Sequence, residues 1–127
     1  MTNKFDHKAL HIKPRDLVVF TALSKRNFYL RYFITKFVLD QGAVPLNPFT
    51  TFDYFLLDTV ERDVVRQANN TLVSRSDELW VFGDISDGVQ AEVVQYKELG
   101  RPIRYFKLVH DKDIVEITEI DATHEEY

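Results

Sequence analysis

Short apolar runs alternate with segments whose apolar residues recur at helical spacing along most of this chain. Leu17-Val18-Val19-Phe20 is continuous, apolar and β-branched, the pattern of a strand buried on both faces of a parallel sheet. After a polar loop, Thr21 to Asn27, the segment Phe28 to Asp40 places Leu30, Phe33, Ile34, Phe37 and Val38 on one helical stripe, which Gly42 ends. Ala43 to Leu46 reads as a short second strand stopped by Asn47-Pro48, ahead of the aromatic-rich loop FTTFDYF. From about Phe55 to Arg75, Leu56, Leu57, Val60, Val64, Ala68 and Leu72 predict a long amphipathic helix. Its other face, Asp58, Glu61, Arg62, Arg66 and Asn69, reads as solvated. Leu79 to Phe82 is a third buried strand, Asp87 to Leu99 a helix closed by Gly100, and Ile103 to Leu108 a fourth strand. Asp113 to Ile120 alternates apolar and acidic residues, which suggests an amphipathic edge strand, and ATHEEY reads as a frayed tail.

Strands alternating with helices imply right-handed βαβ crossovers. The expected fold is therefore α/β and three-layered, Rossmann-like, with a mostly parallel sheet of four to five strands, helices on both faces and an extra C-terminal edge strand. At 127 residues the chain reads as a single domain. Its core covers about residues 17–108, between a polar N-terminal arm, 1–16, and the edge strand and tail, 109–127.

Charge and composition narrow the partners. A formal charge of -4 gives no basic face for duplex nucleic acid or an anionic membrane, so neither is expected as a partner. Cysteine is absent, which removes disulfides, thiolate zinc sites and thiol nucleophiles. His7, His11, His110 and His124 show no metal-ligand spacing, so no metal or other cofactor is expected. The N-terminal segment is too polar for a secretory signal, and no apolar run approaches the roughly 18 residues that span a bilayer. A cytoplasmic location is the expectation.

In an open parallel sheet, ligands bind beyond the carboxyl ends of the strands, where loops lead into helix N-termini. The corner Gly83 to Gly88 falls there. Ser86 or Asp87 can cap the helix that follows, whose first N–H groups lack intrahelical partners. Glu92 lies one to two turns in, and helical side chains lean toward the N-terminus, so its carboxylate can face the strand-end crevice. It can equally be a surface carboxylate that complements the helix dipole. After the first strand, Ser24-Lys25-Arg26-Asn27 brings a hydroxyl, two cations and free N–H groups to another strand end, a set able to hold a phosphate.

Asp77, the corner Ser86-Asp87-Gly88-Val89-Gln90-Ala91-Glu92 and the strand entry Gly100-Arg101-Pro102-Ile103 occur in an order that resembles the signature of the nucleoside 2-deoxyribosyltransferase-like superfamily. With the first strand and Gly42-Ala43-Val44-Pro45-Leu46-Asn47-Pro48, the likeness covers about residues 17–108. The resemblance implies N-glycosidic bond chemistry on a nucleoside or nucleotide, as a glycosidase (a hydrolase) or a transferase. It implies Glu92 as the nucleophile that attacks the anomeric carbon. A departing base also needs protonation, and Asp84 at the end of the third strand is the nearest acid in sequence for that role, with Asp77 as a base-binding or structural partner. Ser86, Asp87 and Gly88 would shape the corner. The loop with Ser24 and Arg26 loosely resembles the phosphate grip of the deoxynucleoside 5'-monophosphate N-glycosidase branch, and Ser86 leans the same way. Homo-oligomeric assembly is a further implication. Two features depart from the pattern. Phe20 stands where catalytic members carry a tyrosine whose hydroxyl orients the glutamate, and Thr21-Ala22-Leu23 replaces a glycine-rich turn. A non-catalytic nucleotide-sensing or scaffold module is the alternative these departures support.

Overall fold

The computed structural model describes residues 5–14, 16–52, 59–110 and 112–125. The continuous apolar runs become strands β1 (Val18–Leu23), β2 (Val44–Leu46), β3 (Glu78–Phe82) and β4 (Ile103–Val109), and the alternating segment becomes β5 (Asp113–Ile117). Helices α1 (Arg31–Asp40), α2 (Pro48–Thr51), α3 (Arg62–Arg75) and α4 (Asp87–Leu99) connect them. Among the described residues the strands form one sheet ordered β2-β1-β3-β4-β5. The first four are parallel and β5 pairs antiparallel with β4.

Alternation along each strand divides the core between the two faces. Phe20, Leu79, Val81 and Tyr105 pack with Val73 of α3 and with Val89, Val93 and Tyr96 of α4. Val19, Trp80, Phe82 and Phe106 pack on the opposite face with Ile34 and Val38 of α1. The result is a three-layer α/β fold. No helix among the described residues is long and apolar enough to cross a membrane.

Several elements differ from their sequence reading for identifiable reasons. β1 runs on through Thr21, Ala22 and Leu23, because Thr21 is buried with its hydroxyl satisfied by the Leu46 carbonyl at 3.2 Å. A 3-10 turn, Lys25–Leu30, then leads into α1. Of the long predicted helix, Leu56, Leu57 and Asp58 lie outside the described residues, as do Tyr54 and Phe55 of the aromatic loop, and residues 59–61 are not helical, since Glu61 caps a helix that begins at Arg62. Within α3 the buried stripe is shifted from the expected one. Val64 is 53% exposed, whereas Asn69 and Leu72 are half-buried and Val73 is buried. β5 ends at Ile117, and Ile120 sits in a 3-10 turn with its side chain in solvent.

The direction in which successive strands are added to the sheet reverses between β1 and β3, since β2 lies to one side of β1 and β3 to the other. Such a reversal splays the connecting loops apart and opens a crevice at the strands' carboxyl ends. Ser24 follows β1 there, and the Gly83 to Gly88 corner follows β3.

Candidate functional site

The corner after β3 is built by its small and polar residues. Gly83 has φ of 80°, a conformation that favours glycine, and a Cβ there would sit 2.7 Å from Asn27 Nδ2 and 3.1 Å from Leu108 Cδ1, so those side-chain ends would have to shift. Ser86 is the N-cap of α4, its hydroxyl accepting from Val89 N at 3.3 Å. Gly100 closes the helix in the left-handed conformation.

Between those ends, Val89, Val93 and Tyr96 form the apolar stripe of α4 against the sheet. Glu92 adjoins Val93 on the flank of that stripe and is turned toward α3, leaving it 8% exposed. Asn69 Nδ2 of α3 donates to Glu92 Oε2 at 2.8 Å. Loss of hydration favours the neutral acid and the Asn69 hydrogen bond favours the carboxylate. Burial is the larger influence, and the pKa is pushed up to about 7.

Glu92 opens onto a cavity of about 620 Å³ lined from both sides of the crevice. Pro48, Phe49 and Phe52, in and just after α2, give it an apolar aromatic wall. Asn47, the N-cap of α2, holds that short helix by accepting from Phe49 N at 3.0 Å. Lys25, Arg62 and Arg66 bring cations to the rim, and Asn69, Asn70 and Gln95 supply amides. The volume falls within the range of about 300–1,000 Å³ common for small-molecule sites. Glu92 is the single carboxyl group among the described lining residues.

Ser24, Ser86 and Gly88 line this cavity with Glu92, as their positions at strand ends suggested. Arg26 Nε is paired with Glu125 Oε2 at 3.1 Å, and Ser24 is hydrogen-bonded to the same carboxylate. Asp87 lies exposed in the first turn of α4. Asp84, expected as proton donor, lines a separate cavity of about 270 Å³ with Asn27, Lys107 and Thr123, and its carboxylate accepts from the Thr123 hydroxyl. It is thus placed apart from the Glu92 cavity. Asp77 sits at the opposite, amino-terminal end of β3, where Oδ2 accepts from Val18 N at 2.7 Å and its own N–H donates to Val18 O at 2.7 Å. Of its two expected roles, the structural one is what this geometry provides. Arg101 works at the same end, donating to the Ser74 and Ser76 carbonyls where α3 terminates.

Sequence reading missed Asn69, Arg62 and Arg66 as site residues, and it missed Glu125. The first three were assigned to a solvated helix face. Their spacing carries a signal in retrospect: Arg62, Val65, Arg66 and Asn69 follow helical periodicity on one stripe, and all four line the cavity. Glu125 has no comparable pattern.

Residues 20–106 match the model of a family described as a domain of unknown function, DUF7768. That span runs from within β1 to within β4 and includes the whole Gly83 to Glu92 corner. No curated protein matches the chain.

Proposed function

The chain belongs to the DUF7768 family, and we propose that it binds a nucleoside or nucleotide at the carboxyl ends of β1 and β3 and cleaves its N-glycosidic bond through Glu92. The observation that carries the reading is a buried carboxylate with a pKa near 7, facing a cavity that also has an aromatic wall. Phe49 and Phe52 suit the π-face of a base. Asn69, Asn70 and Gln95 can hydrogen-bond sugar or base edges, and Glu92 is left for the anomeric carbon.

The ionised Glu92 attacks C1′, forming a C1′–O ester bond, while the C1′–N bond breaks and the base leaves with its electron pair. Water or a second base then resolves the ester and restores the carboxylate. Asn69 takes the orienting role for which the tyrosine hydroxyl is missing at Phe20. Because Asp84 lies in another cavity and no second carboxyl is among the described lining residues, the departing base takes its proton from solvent. Turnover by that route is slow and favours bases that leave readily. The same two observations, Phe20 and the placement of Asp84, support a second reading in which the site binds and senses its ligand without cleaving it.

Incubation with a panel of deoxynucleosides and their 5'-monophosphates separates the readings. Thermal stabilisation together with chromatographic release of free base supports cleavage, and stabilisation without release supports sensing. Stabilisation by no member of the panel would remove both.

A further inference from the structure

The C-terminal segment, which its polarity marks as a loose tail, is fastened across the strand ends over residues 123–125, while Glu126 and Tyr127 lie outside the described residues. Ile85 N donates to Thr123 O and Glu125 N to Ile85 O, each at 2.9 Å, in a parallel bridge between Ile85 and His124. The Thr123 hydroxyl donates to Asp84, and His124 Nε2 lies 3.3 Å from Gln90 Oε1. Glu125 ends this run with a side chain only 4% exposed. Ser24 Oγ is within hydrogen-bond distance of both its carboxylate oxygens, at 3.1 Å from Oε2, and Arg26 Nε pairs with Oε2 at 3.1 Å.

Ser24 and Arg26 are a hydroxyl and a guanidinium placed together at a strand end, chemistry suited to a phosphate monoester. The chain's own carboxylate has already taken both. We propose that Glu125 is a specificity-determining residue that closes the Ser24–Arg26 pair to a 5'-phosphate, so that the cavity takes the unphosphorylated nucleoside. The inference rests on the nucleoside or nucleotide reading of the cavity given above.

A phosphate monoester carries a charge of about -1.5 to -2 near neutral pH. Set beside Ser24 it meets the Glu125 carboxyl group in a shielded position, where like charges repel strongly. Displacing the Glu125 side chain instead strips a buried carboxylate of its Ser24 and Arg26 partners. The rim cations do not offset this. Lys25, Arg62 and Arg66 are exposed, and Arg66 is already paired with Asp63 at 3.0 Å. An uncharged 5'-hydroxyl encounters neither obstacle, and discrimination between two ligands is often set by such a repulsive element.

The test measures Kd by calorimetry for one deoxynucleoside and its 5'-monophosphate, on the wild-type protein, Glu125→Gln and Glu125→Ala. Glu125→Gln keeps the shape of the side chain and one acceptor oxygen for Ser24 or Arg26 while removing the charge, so it reports on charge even where the alanine variant fails to fold. The wild type is expected to prefer the nucleoside by about tenfold or more, and the variants to lose or reverse that preference. A wild-type preference for the monophosphate, or a ratio unchanged in the variants, overturns the role of Glu125 while leaving the nucleoside site standing. Binding of neither ligand by any of the three proteins overturns the site reading and the inference together.

Discussion

Asn69 on α3 and Glu92 on α4 meet through a 2.8 Å hydrogen bond, with the amide donating to the carboxylate at the edge of the cavity. The contact joins two helices that cover the same face of the sheet, and it holds one carboxylate oxygen in place. Because the donor favours the charged form, its removal leaves burial unopposed. Asn69→Ala is expected to raise the Glu92 pKa further above 7, by about one unit for a hydrogen bond to a charged group. Carbon-detected NMR titration of the Glu92 carboxyl measures this. A midpoint that stays or falls would show that Asn69 does not support the charge.

The raised pKa has a consequence for stability with a definite sign. Between the ordinary value of 4.5 and about 7, the folded chain holds a proton on Glu92 that the unfolded chain has lost. Stability arising from this group therefore falls as pH rises through that window. Below it both states are protonated and no penalty exists. Above it the full cost applies, about 3 kcal/mol at most. Glu92→Gln removes the ionisation, so its stability relative to wild type should increase from pH 4.5 to 8 in urea unfolding. A difference that is flat with pH would mean that Glu92 titrates normally.

Cleavage should follow the same ionisation in the opposite sense. The attacking form is the carboxylate, so the rate of base release is expected to rise through about pH 7 and then level. In Asn69→Ala the rise should move to higher pH. A rate that falls across this range would assign Glu92 the acid's role instead.

Asp77 and Gly83 are expected to matter for folding and not for ligand contact. Asp77→Ala leaves Val18 N without its side-chain acceptor at an exposed position and should cost about 0.5–1.5 kcal/mol in denaturant unfolding, with nucleoside Kd unchanged. Gly83→Ala places a Cβ against Asn27 at a φ of 80° and should cost at least about 1–2 kcal/mol. A large change in Kd for Asp77→Ala would restore it as a binding residue.

Most of the fold was legible because its signals are local. The continuous apolar runs of β1, β3 and β4 leave few alternatives to buried parallel strands, and Gly100 marks the end of α4 by its conformation. The Ser86 cap and the presence of Ser24, Gly88 and Glu92 at one crevice followed from strand ends and helix direction. What escaped depends on contacts between distant segments. Asn69 looks like a solvated residue until α4 packs beside it, and the polar tail looks frayed until Ile85 and Ser24 provide its partners. Thr21 ended the predicted strand early because its type is polar, although the Leu46 carbonyl satisfies it in the core. Asp84 was chosen by nearness in sequence, but it lines a different cavity from Glu92.

Mapping the covalent intermediate tests the central claim most directly. Wild-type protein is mixed with a deoxynucleoside, quenched in acid during base release, digested and analysed by peptide mass spectrometry. A deoxyribosyl adduct on Glu92, with both adduct and base release lost in Glu92→Gln, is the predicted result. Base release that persists in Glu92→Gln, or an adduct on another residue, would contradict it.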